Sequence, residues 1–150
     1  MQDKKNNFAL YIILVMVAAA MLLKIINHCT KTGEVIISKR EFKVEIAKNQ
    51  WDMDRGLSGK NFLKDNKGML FVFSKPDYYS FWMKGMKFSI DIIWINEGKI
   101  AYIKEKAPIP ITQYIESYKP EAPAGYALEI NAGLVEKYGF KIGDAVQLDI

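Results

Sequence analysis

Lys84 and Asp91 carry the chemistry in "SFWMKGMKFSID" (Ser80–Asp91), a stretch in which half of the other residues are aromatic or methionine. Charged groups in such company either pair to hold a fold or line a site. An unpaired buried charge costs several kcal/mol, so compensation is required in both cases. The sequence favours a structural Asp91, with Lys84 or Arg55 as its counter-ion. A second carboxylate, Glu129, lies in "YALEIN" and faces away from Tyr126, Leu128 and Ile130. Asp91 and Glu129 held about 5–10 Å apart would permit glycosidase-type acid/base chemistry. Arg55, just before Gly56, reads either as a helix-end cation or as an anion clamp. Tyr114 and Tyr118, four apart in a proline-rich stretch, offer aromatic binding surface. The candidate catalytic residues are therefore Asp91 and Glu129, and the candidate binding residues Arg55, Lys84, Asp91, Tyr114 and Tyr118.

Other chemistries are excluded by composition. The single cysteine, Cys29, adjoins the single histidine, His28. No intramolecular disulfide can form, and no Ser-His-Asp, Cys-His or zinc constellation can be built after residue 30. "GLSGK" echoes a phosphate loop but has Asp54 where Gly is needed and Asn61 where Ser or Thr is needed. Met83 and Met86 are spaced for a thioether copper site, yet methionine is far more often core filler. We expect no metal and no cofactor. The net charge is +4, and no basic run exceeds two residues. No nucleic-acid partner is expected.

The elements that would position these residues are mostly strands. Glu34–Ser38 and Glu41–Ala47 read as a hairpin, and "NQWDMDRG" as a short helix capped by Asn49 and ended by Gly56. Gly68–Phe73, Tyr79–Lys84, Ile90–Asn96, "KIAYIKEK", Tyr126–Asn131 and "AVQLDI" read as further strands, with a turn at Asn96-Glu97-Gly98. Tyr79–Lys84 and Ile90–Ile95 are expected to pair across Gly85–Ser89, which would put Lys84 and Asp91 at the loop mouth. Four of the five prolines fall between Pro108 and Pro123, predicting a long loop. "AGLVEKYGF" reads as a helix closed by Gly139, with Phe140 folding back on Val135. The fold class is mainly β (a β-rich α+β domain), a compact sandwich or barrel-like domain with two short helices.

Before it, Phe8–Ile26 is apolar except for Lys24. Roughly 20 such residues span a bilayer, so one N-terminal transmembrane helix is expected over residues 8–26. A signal peptide cleaved near Ala20 is the rival, but cleavage there would leave an apolar new terminus. Residues 1–30 are thus an anchor and the start of a linker, and residues 31–150 the domain, which we expect outside the cytoplasm.

The blocks "RGLSGK", "GMLFVF", "SFWMKGMKFSIDIIWI", "YALEINAG" and "KIGDAVQL" resemble, in order and spacing, the domain-of-unknown-function 192 family, also called uncharacterised protein family 0127. The resemblance covers about Val44 to Ile150. It implies a small β-rich domain, often behind a signal or membrane segment in bacteria and archaea, and it implies no established activity, cofactor or substrate. The expected function is a membrane-anchored, extracytoplasmic module that binds a ligand or an envelope protein without catalysis. The alternative is an envelope glycan hydrolase using Asp91 and Glu129.

Overall fold

The computed structural model describes residues 10–21, 31–113 and 115–150. The chain divides into two compact units, residues 1–30 and 31–150. In the first, residues 10–21 form a helix, α1, whose side chains are exposed. Among the described residues, no helix is long and apolar enough to cross a membrane. The expected span over residues 8–26 therefore lies partly outside the described residues and is not seen as a membrane helix.

The second unit is mainly β. Its elements are β1 (Thr32–Ile37), β2 (Arg40–Ala47), α2 (Gln50–Arg55), β3 (Lys67–Asp77), β4 (Phe81–Trp82), β5 (Ile90–Asn96), β6 (Lys99–Ala107), β7 (Ser117–Tyr118), β8 (Ala124–Asn131), α3 (Leu134–Tyr138) and β9 (Val146–Asp149). The β1–β2 hairpin forms as expected, but its turn is Ser38-Lys39, one residue earlier than the sequence suggests, with both residues at positive φ (47° and 67°). This primed turn matches the twist of its strands. Seven strands make one sheet in the order β6-β5-β8-β3-β2-β1-β9. Every pair is antiparallel except β2–β3, whose parallel pairing requires the crossover through α2.

The sheet curls into a half-barrel. At one end the edges come together, through a bridge between Lys99 and Ala145 and backbone hydrogen bonds from Val146 to Gly98 and from Ile100 to Asp144. Residues from both edge strands, Ile100 and Val146, share one buried cluster with Val35, Phe42, Leu70, Ile93, Leu128 and Ile130. That face is the inside of the curl, and α3 plugs it with Leu134 and Val135. The outer face of β3, β5 and β8 carries a second buried cluster, including Met69, Phe71, Ile92, Trp94 and Ala127. The segments bearing α2 and the β4–β7 ribbon cover it. Ile90–Ile95 are consequently all buried. A strand covered on both faces has no reason to alternate, which is why it reads as one apolar run.

Two expectations are corrected. Tyr79–Lys84 does not pair with Ile90–Ile95: β4 pairs with β7, while β5 lies between β6 and β8. The proline-rich stretch is not all loop, since it contributes β7. Met83 and Met86 lie in the outer core. Gly139 closes α3 in the left-handed region (φ 70°), and the Phe140 N–H reaches the Val135 carbonyl at 3.1 Å, as the sequence predicts.

Candidate functional site

The register of β8 decides what the two carboxylates can do. Asp91 is the cross-strand partner of Ile130, and Glu129 that of Ile92 and Met69. Cross-strand partners project to the same face, and successive residues to opposite faces. Asp91 thus enters the inner face with Ile130, and Glu129 enters the outer face with Ile92 and Met69. The sheet stands between them. The acid/base pair expected from the sequence is not assembled.

Asp91 is fully buried. Its counter-ion is neither Lys84 nor Arg55, because backbone amides compensate the charge. Oδ1 accepts from the Lys106 N–H at 2.8 Å, and Oδ2 from the Val135 N–H at 2.9 Å. The first amide belongs to a β-bulge between Ile90 and Ile92, where Lys106 has φ 50°. The second lies in the first turn of α3, whose N-cap, Gly133, has no side chain to offer. Asp91 therefore caps a helix and holds a bulge at once. Lys84 is exposed, with its Nζ 5.9 Å from the Trp82 ring centroid.

Glu129 has a different environment. It is 4% exposed, and one oxygen, Oε2, is buried without a hydrogen-bond partner. Burial pushes its carboxyl up to about 8, and the hydrogen bond from the Leu57 amide only partly offsets this. Leu57 is brought there by α2 and its ending. Asn49 accepts from the Asp52 N–H at 2.9 Å and starts the helix. Gly56 ends it at φ 51°, ψ −136°, outside the left-handed helical region expected for it. A Cβ at Gly56 would lie 3.4 Å from the Phe71 ring and 3.6 Å from Glu129 Oε2, so the backbone passes close over the carboxyl.

Between this crossing segment and β4 lies a cavity of about 360 Å³, with Arg55, Phe71, Phe81, Trp82, Met86 and Glu129 among its lining residues. Arg55 Cζ sits 4.6 Å from the Trp51 ring centroid, and a terminal guanidinium nitrogen is 3.9 Å from Asp52. Its Nε is buried without a hydrogen-bond partner. Arg55 Nε and Glu129 Oε2 are the two buried side-chain polar atoms left unpartnered among the described residues, and their residues line the same cavity. Phe81 packs edge-on to Phe71 and to Trp94, at 4.7 and 5.5 Å. Trp82 is 56% exposed at the cavity wall. A larger groove of about 790 Å³ near β1–β3 is lined by Lys43, Lys60, Lys64 and Lys67, and Lys60 is paired with Glu45. It holds neither of the buried unpartnered atoms.

Of the remaining expected binding residues, Tyr114 lies outside the described residues. Tyr118 is not an exposed platform but is buried in the outer core. Its hydroxyl donates to Glu116 at 2.9 Å, and burial first, then Glu116, pushes it up to about 12. The structure brings together Arg55 and Glu129 alone from the sequence candidates. Leu57, Phe81 and Trp82 were not foreseen as site residues. The alternating position of Glu129 in an apolar strand was the available signal.

No curated protein matches this chain. Among solved structures, it resembles one from Sinorhizobium meliloti 1021, provisionally described as a transcription regulator. Identity is 28%, the TM-score 0.70, and the match covers 79% of this chain and 95% of that one. A second, from Novosphingobium aromaticivorans DSM 12444, is described as a protein of unknown function. Identity is again 28%, the TM-score 0.67, and coverage 79% of this chain and 84% of that one. The DUF192 family model, described as "Uncharacterized ACR", matches residues 33–148, nearly all of the β-rich unit. The chain belongs to the domain-of-unknown-function 192 family.

Proposed function

We propose that the β-rich unit is a small-ligand-binding module, and that its site is the cavity beside Glu129. One observation carries this reading: the two buried polar atoms without partners, Arg55 Nε and Glu129 Oε2, belong to residues lining one cavity. Buried polar groups in a folded domain are normally satisfied, and two orphans on residues of one cavity wall mark a place where something else can supply the partner. The volume is at the small end of ligand pockets, and its walls combine apolar rings with few polar groups. The Sinorhizobium relative's description suggests regulation of transcription. A chain without a basic run longer than two residues supports ligand binding better than DNA binding.

The test is a titration of the full 150-residue chain with a panel of small aromatic fragments, followed by backbone amide NMR. Saturable shifts confined to residues such as Gly56 and Leu57 are expected, and they should be lost in Met53→Trp, because Met53 also lines the cavity and the larger ring would occupy it. A panel that moves none of these signals refutes the reading.

We further propose that residues 8–26 anchor the chain in a membrane, with the β-rich unit outside the cytoplasm. The apolar run Phe8–Leu23 supports this. Protease added to intact cells should then degrade the unit, and the mature N-terminus should retain Phe8. A soluble product starting near Met21 overturns the anchor.

A further inference from the structure

We infer that the cavity takes a small carboxylate with an apolar body, whose carboxylate accepts from Arg55 Nε–H and from the Glu129 carboxyl O–H. This rests on the binding-module reading and adds the ligand's class. Arg55 is a charged donor, and the carboxylate nearest to it, Asp52, is 3.9 Å away, too far for a good hydrogen bond. The Nε–H is left over. A guanidinium with a free edge favours an anionic, planar acceptor. Glu129 in its neutral form has one more donor to give, at the oxygen that nothing on the protein meets. Two donors and one positive charge match a monocarboxylate. A cationic ligand would meet Arg55 unfavourably. Phe71, Phe81, Trp82 and Met86 provide the apolar walls.

The groups facing Glu129 leave little else to set its proton. From β3 come Met69 and Phe71, and from β5 Ile92 and Trp94, all apolar. Asp91 is on the other face of the sheet. From β4 and the turn after it come Phe81, Trp82 and Met86, with Lys84 held over Trp82. From α2 come Arg55 and Asp54, the latter accepting from the Gln50 amide at 2.7 Å. The carboxyl thus stays neutral up to a pH of about 8. Once ionised it repels the ligand carboxylate instead of donating to it.

The experiment titrates the full-length chain with 3-phenylpropanoate, 3-phenylpropanamide and 3-phenylpropylamine by amide NMR, between pH 6 and 9.5. The propanoate is expected to bind with a Kd that is flat below pH 7.5 and rises about tenfold per unit above pH 8. Arg55→Met is expected to weaken it at least tenfold. Glu129→Gln keeps a donor and removes the titrating proton, so whatever affinity it retains should no longer fall between pH 7.5 and 9.5. Binding of the amine in place of the propanoate overturns the inference. So does propanoate binding indifferent to Arg55→Met, or an alkaline loss that persists in Glu129→Gln. If the amide or the amine saturates the cavity and the propanoate does not, the ligand class falls and the binding module stands. If no probe or panel fragment moves the cavity signals, both fall. Should Glu129→Gln fail to fold, the wild-type pH profile and Arg55→Met still decide.

Discussion

Replacing Glu129 by Gln should make the protein more stable, by an amount that depends on pH. In the folded chain the carboxyl ionises near pH 8, and in the unfolded chain near 4.5, its ordinary value. Between those limits the folded state binds the proton that the unfolded state has lost. Stability conferred by the neutral carboxyl is complete below pH 4.5, falls as pH rises, and is exhausted above 8. Each unit in that window costs about 1.4 kcal/mol. Ionisation therefore removes about 3 kcal/mol by pH 7 and about 5 kcal/mol by pH 8.5. Gln accepts the Leu57 N–H as Glu does and never ionises, so Glu129→Gln recovers these amounts and gains almost nothing at pH 4.5. Urea unfolding of both proteins at pH 4.5, 5.5, 7 and 8.5 measures the difference, and all other titrating groups cancel in it. Curves for the two proteins that stay parallel within about 0.5 kcal/mol across that range refute a buried, neutral Glu129. A residue kept at such a cost is what a binding site produces, because sites tolerate groups that a purely structural core would replace.

Asp91→Ala strands one buried and one partly buried amide and removes a helix cap, so urea unfolding should show a loss of about 2–4 kcal/mol, with the Lys106 and Val135 amides exchanging faster. Lys84→Met should change stability by less than about 0.5 kcal/mol, and a double mutant with Asp91→Ala should be additive. In a spectrophotometric titration, wild type and Tyr118→Phe should differ only above about pH 11, since the buried Tyr118 ionises near 12. Gly68→Ala puts a Cβ 2.7 Å from the Glu129 carbonyl oxygen and should cost about 1–3 kcal/mol in denaturant unfolding. Gly139→Ala meets nothing within 4 Å and should cost only the left-handed backbone penalty of about 1 kcal/mol.

Features whose causes are near in sequence were legible. The Asn49 cap, the Gly139 closure with Phe140, and the β1–β2 hairpin each involve residues a few positions apart. Pairing was legible only where a short turn forced it. The partners of β4 and β5 were not, because strands apolar on both faces carry no alternation to fix a register or a neighbour. The Asp91 carboxylate does need compensation, but its partners are amides, and a sequence shows side chains rather than free N–H groups. Lys84 and Arg55 drew attention because they carry charge. Glu129 was visible as an acid in an apolar strand. That Asp91 lies on the opposite face follows from β5 and β8 being neighbours with Ile92 opposite Glu129, which no local pattern encodes.

The meeting of the two sheet edges has a consequence for biogenesis. β1 pairs on one side with β2, its neighbour in the chain, and on the other with β9. A ribosome delivers β1 early and β9 late, so the early hairpin waits with an unpaired edge while most of the domain is made. Closure through Lys99 and Ala145 also waits for the segment before β9. Such long-separation contacts fold slowly, and until they form the chain is an open sheet that can pair with other chains. Loss of β9 through premature termination would leave that edge permanently exposed, so aggregation and proteolysis should dominate the fate of such fragments.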